Sequence, residues 1–323
     1  MKQTVRTFMA SLVDYAGLFP PAGLDMAPAV KEYGRWLADP AAWMLGRFIV
    51  PAGRLPELDG VLAETGITGT RLYSVLAGSR DGVDESLAVL KKQGELVRDF
   101  EARQAGSAGI ETLELPLPAQ VCAETPALQA YLAEMLAKVV AAGFDVQTAY
   151  LEIPPAADPD LVAAAIVRAA ADYRGASEDR AENPPRLAAK LRTGGVTPEI
   201  FPEAERVAEV LAACARHGLA LKFTAGLHHP VRHRAEAPPV MMHGFLNVFG
   251  AGMLAHDGLM GADLVACVAE TDPEAFEFSS RGFAWRNHEL SGDRIAELRR
   301  YLHGFGSCSF AEPVADLQDL GLI

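Results

Sequence analysis

The chain has 323 residues, 50% of them hydrophobic and 22% charged, with a net charge of −13 and a pI of about 5.1. That is enough apolar material for one large domain or two, and the acidic balance excludes nonspecific nucleic-acid binding, which needs a basic surface. No apolar run reaches the ~18 residues of a membrane span and no charged n-region leads into an apolar h-region, so a soluble, cytoplasmic chain with no membrane partner is expected.

The opening is apolar and proline-rich (VDYAGLFPPAGLDM). It reads as part of an N-terminal extension of about residues 1–40 that plugs or flanks one end of the fold. Strand patterns then follow at 46–51 (GRFIVP), 71–77 (RLYSVLA), 109–116 (GIETLELP), 148–154, 187–193, 219–225 and 275–285 (AFEFSSRGFAW). An eighth falls either at 306–310 (GSCSF) or near the start, at 11–19. Between them the period changes to that of helices, at 55–64, 84–102, 125–142, 159–173, 202–217, 240–255, 262–270 and 293–302.

Most strand runs are apolar on both faces, which implies parallel strands covered by helices. Seven or eight such units in one chain predict a (β/α)8 TIM-barrel-like single domain over residues 1–323. The competing arrangement, an open doubly wound sheet, lacks its usual signals: no GxGxxG follows an early strand and no GxxxxGK[ST] loop is present. Residues 175–185 (GASEDRAENPP) read as an exposed loop facing away from the site, and 234–239 as the end of a long loop on the catalytic side. The run MMHGFLNVFGAGMLAH reads as a core or subunit-interface helix, with Asn247 as a polar exception that could face a cleft. A homo-oligomer is compatible with it.

The segment 187–233 is the densest in chemistry. Two short apolar strands each carry a lysine, Lys190 and Lys222, and each runs into a glycine turn. A lysine in an apolar strand is costly to desolvate unless something compensates it. Catalytic groups of a barrel sit at the carboxyl ends of strands and in the loops that follow. This selects Glu114, Glu152, Lys190, Arg192, Gly194, Gly195, Lys222, Thr224, His228, His229, Arg232 and His233, with Arg281, Arg286 and Asn287 as weaker additions. A lysine in a desolvated pocket or beside a second cation can attack a carbonyl and form a Schiff base. Glu114 and Glu152 would serve as proton-transfer partners. The competing reading is a purely structural ion network. Arg192, Arg232 and the Gly194–Gly195 amides are candidates for the anionic end of a substrate.

On these residues the chain resembles the class I aldolases of the deoxyribose-phosphate aldolase type. The family's KxxTG strand is matched by Lys190, Thr193 and Gly194, and its second lysine strand loosely by KFTAGLHHPVR. The Leu-Glu that ends the preceding strand corresponds to Leu151–Glu152, and an earlier acidic residue to Glu114, so the likeness spans about residues 109–232. It implies Lys190 as the Schiff-base nucleophile, Lys222 as the group that tunes it, Glu114 as proton-transfer partner, and no cofactor. Two features depart from the family. Leu227-His228-His229-Pro230 replaces the glycine-rich phosphate turn, and Thr148 stands where a lysine is expected on the Glu152 strand.

The lead expectation is therefore an aldolase-like carbon–carbon lyase acting on a small carbonyl- or carboxylate-bearing, anionic metabolite. A second reading is a metal-dependent hydrolase or isomerase in which His228, His229, His233 and His243 hold a divalent ion such as zinc. Only one of the adjacent His228 and His229 would then face the site. A third is a barrel that binds a ligand without catalysis. Cys122, Cys214, Cys267 and Cys308 lack CxxC spacing and read as buried, reduced thiols. Ser307, Ser309 and Glu312 lie beside the last candidate strand.

Overall fold

The structure, a computed structural model, describes residues 1–65, 71–176, 184–236 and 238–323. The helices are α1 (Gln3–Met9), α2 (Met26–Leu37), α3 (Leu55–Thr65), α4 (Val83–Gln104), α5 (Thr125–Ala141), α6 (Pro159–Ala176), α7 (Ala204–His217), α8 (Phe245–His256), α9 (Gly261–Ala269), α10 (Gly292–Leu298) and α11 (Ala311–Asp319). The strands are β1 (Val13–Tyr15), β2 (Leu45–Pro51), β3 (Arg71–Leu76), β4 (Ala108–Pro116), β5 (Thr148–Glu152), β6 (Arg186–Arg192), β7 (Leu221–Thr224), β8 (His233–Arg234), β9 (Met241–Met242), β10 (Phe276–Phe278), β11 (Gly282–Trp285), β12 (His288–Ser291) and β13 (Leu302–Ser307).

Eight of these strands close into a parallel barrel in the order β1-β13-β7-β6-β5-β4-β3-β2. Both candidates for the eighth strand are used: VDY is β1, a barrel strand rather than a plug, and β13 closes the ring beside it. The expected barrel strand at 275–285 is instead two strands, β10 and β11, of a separate antiparallel sheet completed by β12. The physical reason is legible in the burial. Phe276, Phe278, Phe283 and Trp285 are buried while Glu277 between them is exposed, the one-sided alternation of an antiparallel ribbon and not the two-sided burial of a barrel strand. The loop after β7 carries the small antiparallel pair β8–β9, so the helix expected from 240 begins at Phe245. The expected exposed loop at 175–185 lies largely outside the described residues.

Contacts group the chain into two compact units. One comprises Met1–Gly23, Arg35–Gly46 and Leu191–Ile323, the other Leu24–Gly34 and Arg47–Lys190, so the chain passes between them inside β6. In the second unit, one face of the strands packs on helices through an edge-to-face aromatic chain. Tyr33 meets Phe48 at 5.3 Å, Phe48 meets Tyr73 at 6.0 Å, and Tyr73 meets Phe100 at 5.8 Å. Residues of the opposite parity, Ser74, Thr112, Glu114, Tyr150 and Lys190, line the other face, and all are buried.

In the first unit, α7 buries Ala204, Val207, Ala208, Val210, Leu211 and Cys214, the spacing of a single helical face, and stops at Gly218 in the left-handed conformation. α8 is buried all round, which makes it a core helix. Its Phe245 stacks on Phe305 at 5.5 Å, and Gly250 leaves room for Phe283, whose ring would lie 2.7 Å from any added Cβ. Among the described residues no helix is long and apolar enough to cross a membrane.

Candidate active site

Register places the acidic and basic groups of the second unit side by side. Pro116 pairs with Glu152 and Glu152 with Lys190, so these positions share one face of β4, β5 and β6, and Glu114 lies one pleat earlier on the same face. Lys190 Nζ lies 2.6 Å from Glu114 Oε2 and 3.1 Å from Glu152 Oε2, with all three side chains at 5% exposure or less. A chain of hydrogen bonds runs on from both carboxylates. Thr112 Oγ1 donates to Ser74 Oγ (2.8 Å), and Ser74 Oγ donates to Glu114 Oε1 (2.6 Å). At the other end Arg80, in the loop after β3, donates to Glu152 Oε1 at 2.6 Å from a largely exposed position.

Two cations thus face two carboxylates, which keeps the buried charges compensated. A proton can pass between Lys190 and Glu114 across this short, charge-assisted contact. The sequence reading picked out Lys190, Glu114 and Glu152 and missed Ser74, Thr112 and Arg80. The signals were present: two hydroxyls at inward positions of apolar strands, and an arginine in a loop that leaves the carboxyl end of a strand.

Lys222 has its own partner. Its ammonium donates to Asp14 Oδ2, and both residues are 1% exposed. Asp14, the central residue of VDY, was not foreseen, although it breaks an apolar strand just as Glu114 does.

The KxxTG motif has a steric explanation in the first unit. Thr193 donates from its amide to Thr224 O (2.9 Å) and from its hydroxyl to Ala225 O (2.5 Å). An added Cβ at Gly194 would lie 2.8 Å from the Gly226 Cα, and the converse holds at Gly226, so the turns after β6 and β7 touch through bare backbone. Gly195 sits against the side chain of Ile200. Arg192 ends β6 on the Lys190 face and is partly exposed.

The histidine loop is clipped to α11. His228 Nδ1 pairs with Glu312 Oε2 at 2.8 Å and His229 Nδ1 with Asp316 Oδ2 at 2.6 Å, so adjacent histidines bind carboxylates one helical turn apart. Both adjacent histidines are thus attached to α11. His233 packs edge-on against His229 (4.5 Å) and bonds Val231 O, and His243 Nε2 donates to Pro202 O at 2.7 Å.

The four-histidine metal set does not assemble. Among the described residues no group of three or more His, Cys, Asp or Glu is placed to hold a metal ion, because each imidazole is turned to a separate partner. Burial, chiefly, takes His243 down to about 4, and Arg232 nearby adds to that effect. Arg232 Nε is buried without a hydrogen-bond partner among the described residues, while its backbone N–H is held by Asn247 Oδ1 at 2.8 Å. Asn247 faces no cleft. Its amide also donates to Cys267 O (3.0 Å) and Glu270 O (2.9 Å), a bracket inside the core. Arg286, a weaker candidate, is engaged by Glu270 at 2.6 Å.

No protein-family model matches the sequence, and no curated protein does. Solved structures that match include the lysine/ornithine decarboxylase of Vibrio vulnificus complexed with cadaverine, at 12% identity and a TM-score of 0.36 over 81% of this chain. This chain spans 57% of that protein's length. A xylose isomerase domain protein from Planctomyces limnophilus also matches at 12% identity and a TM-score of 0.36, over 80% of this chain and 91% of its own.

Proposed function

We propose that the chain is an enzyme of the lyase class, acting on a small carbonyl-bearing metabolite through a Schiff base on Lys190. One observation carries this reading: a buried primary amine with a carboxylate at 2.6 Å and a second at 3.1 Å. A Schiff base forms only from the free amine, and Glu114 is in reach to take the proton that the ammonium must release. The amine then adds to the carbonyl carbon, and the carbonyl oxygen leaves as water with a proton returned by the same carboxylate. The resulting iminium accepts the electron pair of a neighbouring carbon–carbon bond as it breaks. Ser74 and Arg80 act through the carboxylates: the hydroxyl fixes the Glu114 rotamer, and the guanidinium holds Glu152. The likeness of the segment around Lys190 to aldolases supports the carbon–carbon lyase class.

The test is reductive trapping. The purified chain is incubated with small aldehydes and keto acids in the presence of borohydride, and the adduct is located by peptide mass. A stable adduct on Lys190, lost in Lys190→Ala, is the expected result. Labelling that falls only on surface lysines, or that is unchanged in Lys190→Ala, would overturn the assignment.

A further inference from the structure

Cys308 stands apart from the other cysteines. Cys122, Cys214 and Cys267 are buried, and burial pushes their thiols up, Cys122 to about 11 and Cys214 to about 12. Cys308 is partly exposed and follows β13 directly, just ahead of the first residue of α11. β13 pairs in parallel with β7, Gly306 opposite Thr224, so the segments that leave these two strands lie beside one another. One carries Cys308 and the other carries His228.

The loop between β7 and His228 is bent by two consecutive left-handed residues, Ala225 (φ 61°) and Gly226 (φ 75°). A non-glycine residue held there stores strain of the kind found at functional turns. The loop after β7 places His228 beside the segment that carries Cys308, and the imidazole pairs through Nδ1 with the Glu312 carboxylate at 2.8 Å. A thiol, an imidazole and a carboxylate in that order are the parts of an activated nucleophile, with the carboxylate orienting the base.

We propose that Cys308, His228 and Glu312 form a second reactive site, independent of Lys190, in which the sulfur takes an activated acyl group such as that of a thioester or an activated ester. Sγ bonds to the acyl carbon, the bond from that carbon to the leaving group breaks, and the His228 imidazolium gives its proton to the departing atom. Water then cleaves the acyl-cysteine with His228 as base, returning the thiol and releasing a carboxylic acid. Burial works against the charged imidazole, but the hydrogen bonds with Cys308 and Glu312 outweigh it and raise His228 to about 9. The remaining charged neighbours on α11 are Asp316 and its partner His229, a separate pair.

The experiment uses the reduced full-length chain with 4-nitrophenyl acetate. A burst of nitrophenolate is expected with one acetyl group per chain, located on Cys308 by peptide mass and absent in Cys308→Ser. His228→Gln should slow the burst about 100-fold, the usual worth of a positioned general acid–base, and Glu312→Gln should slow it less. Iodoacetamide on the unmutated chain gives a readout free of folding defects. Cys308 should be alkylated at neutral pH about 10-fold faster in the native chain than in the urea-unfolded one. An acetyl group on residues other than Cys308, a burst unchanged in a folded His228→Gln variant, or equal alkylation of native and unfolded chains would each overturn the proposal.

Discussion

Asp14 and Lys222 meet across a strand that offers them no side chains. Asp14 on β1 lies opposite Gly306, and Lys222 on β7 lies opposite Gly304, with β13 between β1 and β7. The lysine spans the bare backbone to reach the carboxylate, and Gly46 closes the far side, where an added Cβ would lie 2.2 Å from Asp14 Oδ1. Gly46 therefore makes room for the carboxylate of this buried ion pair.

Removing one partner of that pair should be severe. Asp14→Ala removes the carboxylate that the buried Lys222 ammonium bonds and should cost about 3–5 kcal/mol, whereas the double variant Asp14→Leu/Lys222→Met should recover most of the loss. Guanidinium unfolding of the three chains checks this. Equal midpoints for Asp14→Ala and the double variant would show that the ion pair is not the cause.

Ser74 is a sharper probe of the Lys190 cluster, because its hydroxyl bonds Glu114 and not Lys190 itself. Ser74→Ala removes the hydroxyl that donates to Glu114 Oε1 and accepts from Thr112 Oγ1. Loss of a buried hydrogen bond to a charged group should lower stability by about 2 kcal/mol. It should also slow borohydride trapping at Lys190, since Glu114 is no longer held in one rotamer. Ser74→Thr, which restores the hydroxyl, should recover both, and trapping that is indifferent to either change would remove the positioning role.

How much of this was legible depends on whether the signal was local. The period switch between strand and helix predicts the barrel, because burial on both strand faces is written in each strand separately. Lys190, Glu114 and Glu152 are legible for the same reason, each a charge inside an apolar run. Their pairing is not, since it arises from the register of β4, β5 and β6. Asp14 carries the same local signal but sits in a strand of three residues, too short for the pattern to stand out from a proline-rich opening. Cys308 is read as a buried thiol because its exposure and its histidine are set by the closing turn after β13. Phe276–Trp285 misleads through its strand propensity, and only its alternation marks it as antiparallel.

Stability should peak near pH 6.5, because two histidines are lowered by folding and a third is raised. His243 is held low, at about 4, by burial, so the folded chain keeps it neutral while the unfolded chain protonates it. Its contribution, on the order of 3 kcal/mol, is present above the unfolded value of about 6.5 and is lost as pH falls towards 4. His256, also lowered to about 4 by burial and by Arg294 and Arg300, acts in the same direction. His228 is raised to about 9 despite its burial, so its contribution is present below about 6.5 and is lost as pH rises through 9. Guanidinium midpoints between about pH 5 and pH 9 should fall on both sides of the maximum. His243→Gln should flatten the acid limb and His228→Gln the alkaline limb, and slopes unchanged in both variants would refute the assignment.

Asn247 should prove as important to stability as any apolar residue of α8. It accepts from the Arg232 amide and donates to the carbonyls of Cys267 and Glu270, so one side chain ties the histidine loop to the end of α9. Asn247→Leu fits the apolar surroundings but removes the partner of three buried polar groups, and should cost at least about 3 kcal/mol at roughly 1–3 kcal/mol per group. Asn247→Asp keeps the acceptor for Arg232 but turns a carboxylate oxygen towards two carbonyls. Only its protonated form can donate to one of them, so folding must raise its pKa. The stabilising effect of that proton is then full below the unfolded value of about 3.9 and is lost as pH rises through the folded one. The Asn247→Asp chain should therefore become less stable, relative to the unsubstituted chain, from mildly acidic to neutral pH. Thermal unfolding of both chains across that range reads the difference directly, and a constant gap would show that residue 247 does not face the two carbonyls.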